Sequence, residues 1–257
     1  MTLHLGRSAL LAVALACTLI ACSRPASAVT IESDTILDGS TADGPIEIIR
    51  GANPAPTVVT VLDPAEINTD IIVFDDSTLT IVGGQVQSFR AQAISQVTVV
   101  GGQITAASTA TDSSQVAIVG GEMNDFYQAL GASQTTITGG LLWGIQASDA
   151  AFVQIVGGQF TDLLPAVQNT LEVSGGGTIL IHGTGFNYPA GAIPDTSGLL
   201  TGTLASGEPI SLRFNITQGG SIQLAVPEPS SIVLVGLGIV GAVCFARSRS
   251  KHAAIVA

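Results

Sequence analysis

Between Glu32 and Glu208 the chain has no lysine and no cysteine. Across all 257 residues aromatic side chains make up only 4% and charged ones 11%. The three cysteines, Cys17, Cys22 and Cys244, stand in apolar runs near the two ends, so the body has neither a disulfide framework nor a cysteine metal site. Of eight Lys and Arg, only Arg50, Arg90 and Arg213 lie in the body, against eighteen Asp and Glu, which leaves it near −15 (3 minus 18). Nucleic-acid binding is thereby disfavoured, because neutralising phosphates takes clustered Lys and Arg. An acidic surface suits a soluble exported protein. With so few aromatics the core has to be aliphatic, and the apolar residues are periodic, which argues against disorder.

What is there is glycine in pairs. Gly-Gly begins at Gly83, Gly101, Gly120, Gly139, Gly157 and Gly175, in steps of 18, 19, 19, 18 and 18 residues. A fixed period of this length signals a solenoid, whose repeats bury their apolar faces only by stacking. Four residues before each pair stand Leu79, Val97, Val116, Thr135, Val153 and Leu171, and two before stand Ile81, Val99, Ile118, Ile137, Ile155 and Val173. Between these columns run Thr80, Thr98, Ala117, Thr136, Gln154 and Glu172, mostly polar. That alternation is a strand with one face in a core and one in water. Three and six residues after the glycine come further apolar columns, Val86 to Phe160 and Phe89, Ala107, Phe126, Ile145 and Leu163. Ser77, Ser95, Ser114 and Ser133, then Ala151 and Asn169, mark the turn that starts each strand.

Each coil therefore reads as strand, glycine corner, short second strand and polar return. The fold expected is all-β, a right-handed parallel β-helix solenoid with 18–19-residue coils over 77–177, stacked about 4.8 Å apart. A left-handed hexapeptide helix competes, but its six-residue aliphatic period is missing. Residues 29–76, with Ile46, Ile48, Val59 and Val61, read as an N-terminal cap of degenerate coils. Residues 178–225 read as a small antiparallel C-terminal cap after a break in register at Thr178, with a hairpin turn at 205–209.

The two ends carry targeting signals. Residues 1–28 have the plan of a secretory signal: Arg7, an apolar run from Ala9 to Cys22, and the A-x-A cleavage site Ala26-Ser27-Ala28. Leu19-Ile20-Ala21-Cys22 resembles a bacterial lipoprotein box, in which Cys22 would be lipidated, and this alternative stands beside cleavage after Ala28. At the other end Pro227-Glu228-Pro229 leads into an apolar run from Ile232 to Ala246, and then into Arg247, Arg249 and Lys251. Fifteen apolar residues make one short C-terminal transmembrane helix, with the basic tail on the cytoplasmic side. This order over 226–257 resembles the PEP-CTERM sorting signal of exported proteins in Gram-negative bacteria. The resemblance implies transient anchoring in the inner membrane and an exosortase as processing partner. It also implies a cell-surface or extracellular-matrix protein tied to exopolysaccharide or biofilm.

The body offers little chemistry. A polysaccharide lyase or hydrolase is the alternative to a structural or adhesive protein, and hydrolysis needs two carboxylates. Asp125 and Asp162 share a column two coils apart, about 9.5 Å, at the edge of the window for an inverting pair. Asp75, Asp76, Asp112 and Asp149 read as turn residues. Arg90 sits in a lone return loop, and His182 has no acid or cysteine beside it in sequence. No catalytic residue, cofactor or metal site is assigned. Trp143 and Tyr127 are the candidate glycan contacts, Trp143 on the outward column of Gln87, Thr105, Asn124 and Thr161.

Overall fold

The computed structural model describes residues 28–39, 44–52, 55–160 and 170–226; both targeting segments other than Ala28 and Val226 lie outside them. Among the described residues the regular elements are strands, from Val29–Ile31 to Ser221–Ala225. They form a β solenoid with two sheets, because each strand pairs in parallel with its equivalents one coil before and one coil after.

One sheet is regular. Its strands run from Thr35–Leu37 and Val58–Val61 through Thr78–Ile81, Gln96–Val99, Gln115–Ile118, Gln134–Ile137 and Phe152–Ile155 to Thr178–Thr184 and Ser221–Ala225. Leu79, Val97, Val116 and Val153 stack in one inner column, and Ile81, Val99, Ile118, Ile137 and Ile155 in the other, all buried. The ladders extend upstream through Val59 and Val61. Thr135, the one polar member of its column over these coils, is explained from across the core. Its Oγ1 lies 2.6 Å from the hydroxyl of Tyr127, which is itself fully buried. A buried polar group needs such a partner.

The sixth glycine pair does not occupy the place its spacing suggests. Phe152 pairs with Thr178, 26 residues on, whereas the four preceding steps are 18 or 19. Leu171 and Val173 pair with Ile145 and Ala147 in the other sheet, and Ile179 and Ile181 continue the regular one. Register is therefore kept at Thr178 rather than broken. The step from Phe152 to Thr178 is simply longer, and Gly175 and Gly176 sit at the turn beside Asp149.

The other sheet is bent. Its 19-residue coils hold one residue more than the 18-residue coils, and pairing shifts register between Met123 and Phe126 to absorb it. A bulge of this kind re-aims the side chains beyond it. Ser108 and Tyr127, not Ala107 and Phe126, consequently share the inner column with Ile145. The same shift occurs between Ile67 and Asp70.

The C-terminal part is mixed where an antiparallel cap was expected. Ser197–Leu204 and Pro209–Ile216 do form an antiparallel hairpin. However, Pro209–Ile216 also pairs in parallel with Thr170–Val173, and Ser221–Ala225 with Thr178–His182. The final strands of both sheets thus belong to the solenoid, and the hairpin's first strand flanks them.

One corner has a left-handed residue in each coil from Asp75 onward among the described residues. Asp75, Ala93, Asp112, Gly131, Asp149, Gly175 and Gln218 have φ between 51° and 65°. Asp tolerates that conformation, and here its carboxylate also bonds the neighbouring coil. Asp112 accepts the Ala93 N–H at 2.9 Å and Asp149 the Gly131 N–H at 3.3 Å. Ala93 alone in this column has neither glycine's freedom nor a polar side chain. Ala93→Gly is expected to stabilise the protein by about 0.5–1 kcal/mol, the relieved strain less the added chain entropy. A thermal melt rising by about 2 °C checks this.

Candidate functional site

The candidate contact surface lies on the outer side of the bent sheet, where strand Leu141–Ala147 follows strand Glu122–Ala129. Trp143 stands there half-buried. The bulge lays the ring of Phe126 over Gly144, whose missing Cβ leaves the room. Phe126 and Trp143 meet edge to face, ring centroids 5.1 Å apart at 60°. Such pairing is a favoured aromatic geometry and holds the indole in one orientation. Trp143 Nε1 and Asn124 Oδ1 are both shielded from solvent without a hydrogen-bond partner, so the site holds one donor and one acceptor unused. Phe126 was not singled out in the sequence as a partner for Trp143. The signal that points to it is the extra residue of the 19-residue coil.

Tyr127 does not join this surface. Register beyond the bulge turns it inward, where it is 0% exposed, and burial pushes its phenol well above the usual tyrosine range, partly offset by the bond to Thr135. It offers no ring face to a sugar. Asp125 is half-buried and its Oδ1 accepts the Phe126 N–H at 2.7 Å, while Asp162 and Thr161 lie outside the described residues.

The remaining chemistry-bearing side chains are dispersed. Arg90 is not in a return loop but in strand Gln85–Ala91, where it pairs with Asp70 at 3.1 Å, and Ser88 donates to the same carboxylate. Arg50 pairs with Asp76 at 2.7 Å. His182 meets Gln154 across neighbouring coils at 2.9 Å; with the Gln154 amide donating, Nε2 is the acceptor. Among the described residues no group of three His, Cys, Asp or Glu is placed to hold a metal ion. No helix among them is long and apolar enough to cross a membrane, and Ile232–Ala246 lies outside them.

Ala28 is the residue before the first strand, Val29–Ile31, so cleavage there would leave the solenoid whole. Ala26, Cys22, Pro227, Glu228 and Pro229 are outside the described residues. Residues 225–250 match the PEP-CTERM protein-sorting motif. That motif indicates an exported protein processed by an exosortase. It begins as the last solenoid strand ends, at Ala225. No curated protein and no solved structure matches the chain.

Proposed function

We propose that the chain is a structural or adhesive protein of the cell surface or extracellular matrix, associated with exopolysaccharide in a biofilm. A C-terminal helix anchors it briefly in the inner membrane of a Gram-negative bacterium, and an exosortase then releases or transfers it. The solenoid is a right-handed parallel β-helix, the hand that parallel crossovers take in about 98% of cases. It serves as a stiff acidic spacer, with Trp143 and its Phe126 support as a glycan contact. No enzymatic activity is assigned. The observation that carries this reading is the sorting motif joined directly to a long stacked ladder.

Binding of the full-length protein to soluble polysaccharides by affinity electrophoresis tests the adhesive role. Trp143→Ala is expected to weaken binding about tenfold, the worth of one aromatic contact. Equal binding by the variant would remove Trp143 from the contact. Release of reducing or unsaturated sugars from acidic glycans, lost in Asp125→Asn or Asp162→Asn, would overturn the non-enzymatic reading.

A further inference from the structure

The outer face of the regular sheet carries no Asp, Glu, Lys or Arg on its strands, and His182, hydrogen-bonded to Gln154, is its one ionisable side chain. Its strands present Val58 and Thr60, Thr78 and Thr80, Gln96 and Thr98, Gln115 and Ala117, Gln134 and Thr136, then Phe152 and Gln154, with Leu180 and Gln223 further on. No Asp, Glu, Lys or Arg occurs in any described strand of this sheet. The strand charges, including Glu47, Glu66, Asp70, Arg90, Glu122 and Glu172, all belong to the bent sheet. In a body near −15 such a distribution is unexpected.

Exposed apolar side chains gather on the same face. Of the ten large exposed hydrophobic residues among the described residues, Ile36, Val58, Val82, Val100, Val119 and Phe152 stand on it or at its glycine border. Val82, Val100 and Val119 form a continuous row, 44%, 45% and 50% exposed, one per coil beside the bare Gly-Gly corners. Contiguous exposed apolar surface of this kind marks an interaction site.

We propose that this face is where two copies of the chain pair. Electrostatics selects the occupant. Two bodies of the same strong negative charge repel on most approaches, and this is the surface whose strands bring no carboxylate to the meeting, Asp38 and Asp63 standing only at the N-terminal end of its glycine border. The size fits as well. Nine parallel strands spaced about 4.8 Å, most of them four residues or about 13 Å long, give on the order of 550 Å² per copy, the size of a weak, reversible contact. The threonine and glutamine rows supply hydrogen bonds around the valines, and a two-fold arrangement uses the same surface on both copies. Ala117, on the fifth of the nine strands, lies at the centre.

Sedimentation velocity of the full-length protein in non-ionic detergent, over a hundredfold range of concentration, is the test. A reversible dimer is expected, tightening as salt rises because added ions screen the repulsion. Ala117→Arg and Thr136→Glu, which place charge on an already solvent-facing position, should each weaken association at least tenfold. Gln87→Arg on the bent sheet should leave it unchanged, and circular dichroism checks that all three fold. A monomer at every concentration would overturn the proposal. So would a dimer indifferent to both face variants. Loss of binding to uncharged dextran or hydroxyethyl cellulose in a monomeric protein carrying Ala117→Arg would assign the face to a glycan instead.

Discussion

Gly120→Ala is expected to lower the stability of the solenoid by about 3 kcal/mol or more, far beyond the cost of the same change at Gly219. The two sites separate two reasons for glycine. At Gly120 the backbone is not left-handed, but a Cβ would overlap the carbonyl oxygen of Val100 on the preceding coil. That oxygen belongs to the main chain, and neighbouring coils are locked by the Val119 N–H to Val99 carbonyl bond at 2.8 Å, so neither side can give. At Gly219 φ is 81° and nothing lies within 4 Å of the added carbon, leaving conformational strain of about 1–2 kcal/mol. Gly101 and Gly139 meet the Val82 and Val119 carbonyls in the same way, so the effect should recur along the chain. Thermal melts are the measurement, with a drop of about 6–12 °C for Gly120→Ala and 2–6 °C or less for Gly219→Ala. Equal shifts would mean that the corner glycines serve the turn alone and not the closeness of the coils.

That steric lock explains which parts of the fold were legible. From Thr78 to Ile155 the regular sheet could be read off because its strands start a fixed distance before a glycine corner, where at Gly101, Gly120 and Gly139 a Cβ would strike the preceding coil's carbonyl. The bent sheet could not, because an odd residue in the 19-residue coils can be absorbed anywhere along the second strand. Counting six on from the glycine lands on Phe126, one short of Tyr127, and so reverses which ring is buried. The longer coil after Gly157 misled in a second way. An 18-residue step to Gly175 put Glu172 on the outer column of the regular sheet, where pairing instead places Leu180. A single misplaced carboxylate was enough to hide a face whose strands carry none. The Trp143 contact was half legible. Its outward position followed from alternation, but its aromatic support depended on the bulge, which periodicity does not report.

Replacing Pro227, Glu228 and Pro229 together by alanine is expected to abolish C-terminal processing, shifting nearly all of the protein from the released or transferred form to the membrane fraction. Those residues open the segment that matches the sorting motif, immediately after the last strand. A solenoid strand offers a protease no extended substrate, since its backbone N–H and C=O groups are engaged on both sides; Ser221–Ala225 is paired with Thr178–His182 on one side and Gly191–Ala192 on the other. Recognition is therefore expected beyond Ala225, where the sequence brings two prolines, residues that cannot donate to a ladder. The change alters none of the described strands, so the melting temperature of the ectodomain should stay within about 1 °C of the parent. The mass of the mature C-terminus, read in cells with and without the exosortase, separates the outcomes. An intact C-terminus in both the variant and the exosortase-deficient strain would place the sorting function in this motif. Normal trimming of the variant would move the recognition signal to the apolar run or the basic tail, while leaving the solenoid and its pairing face unaffected.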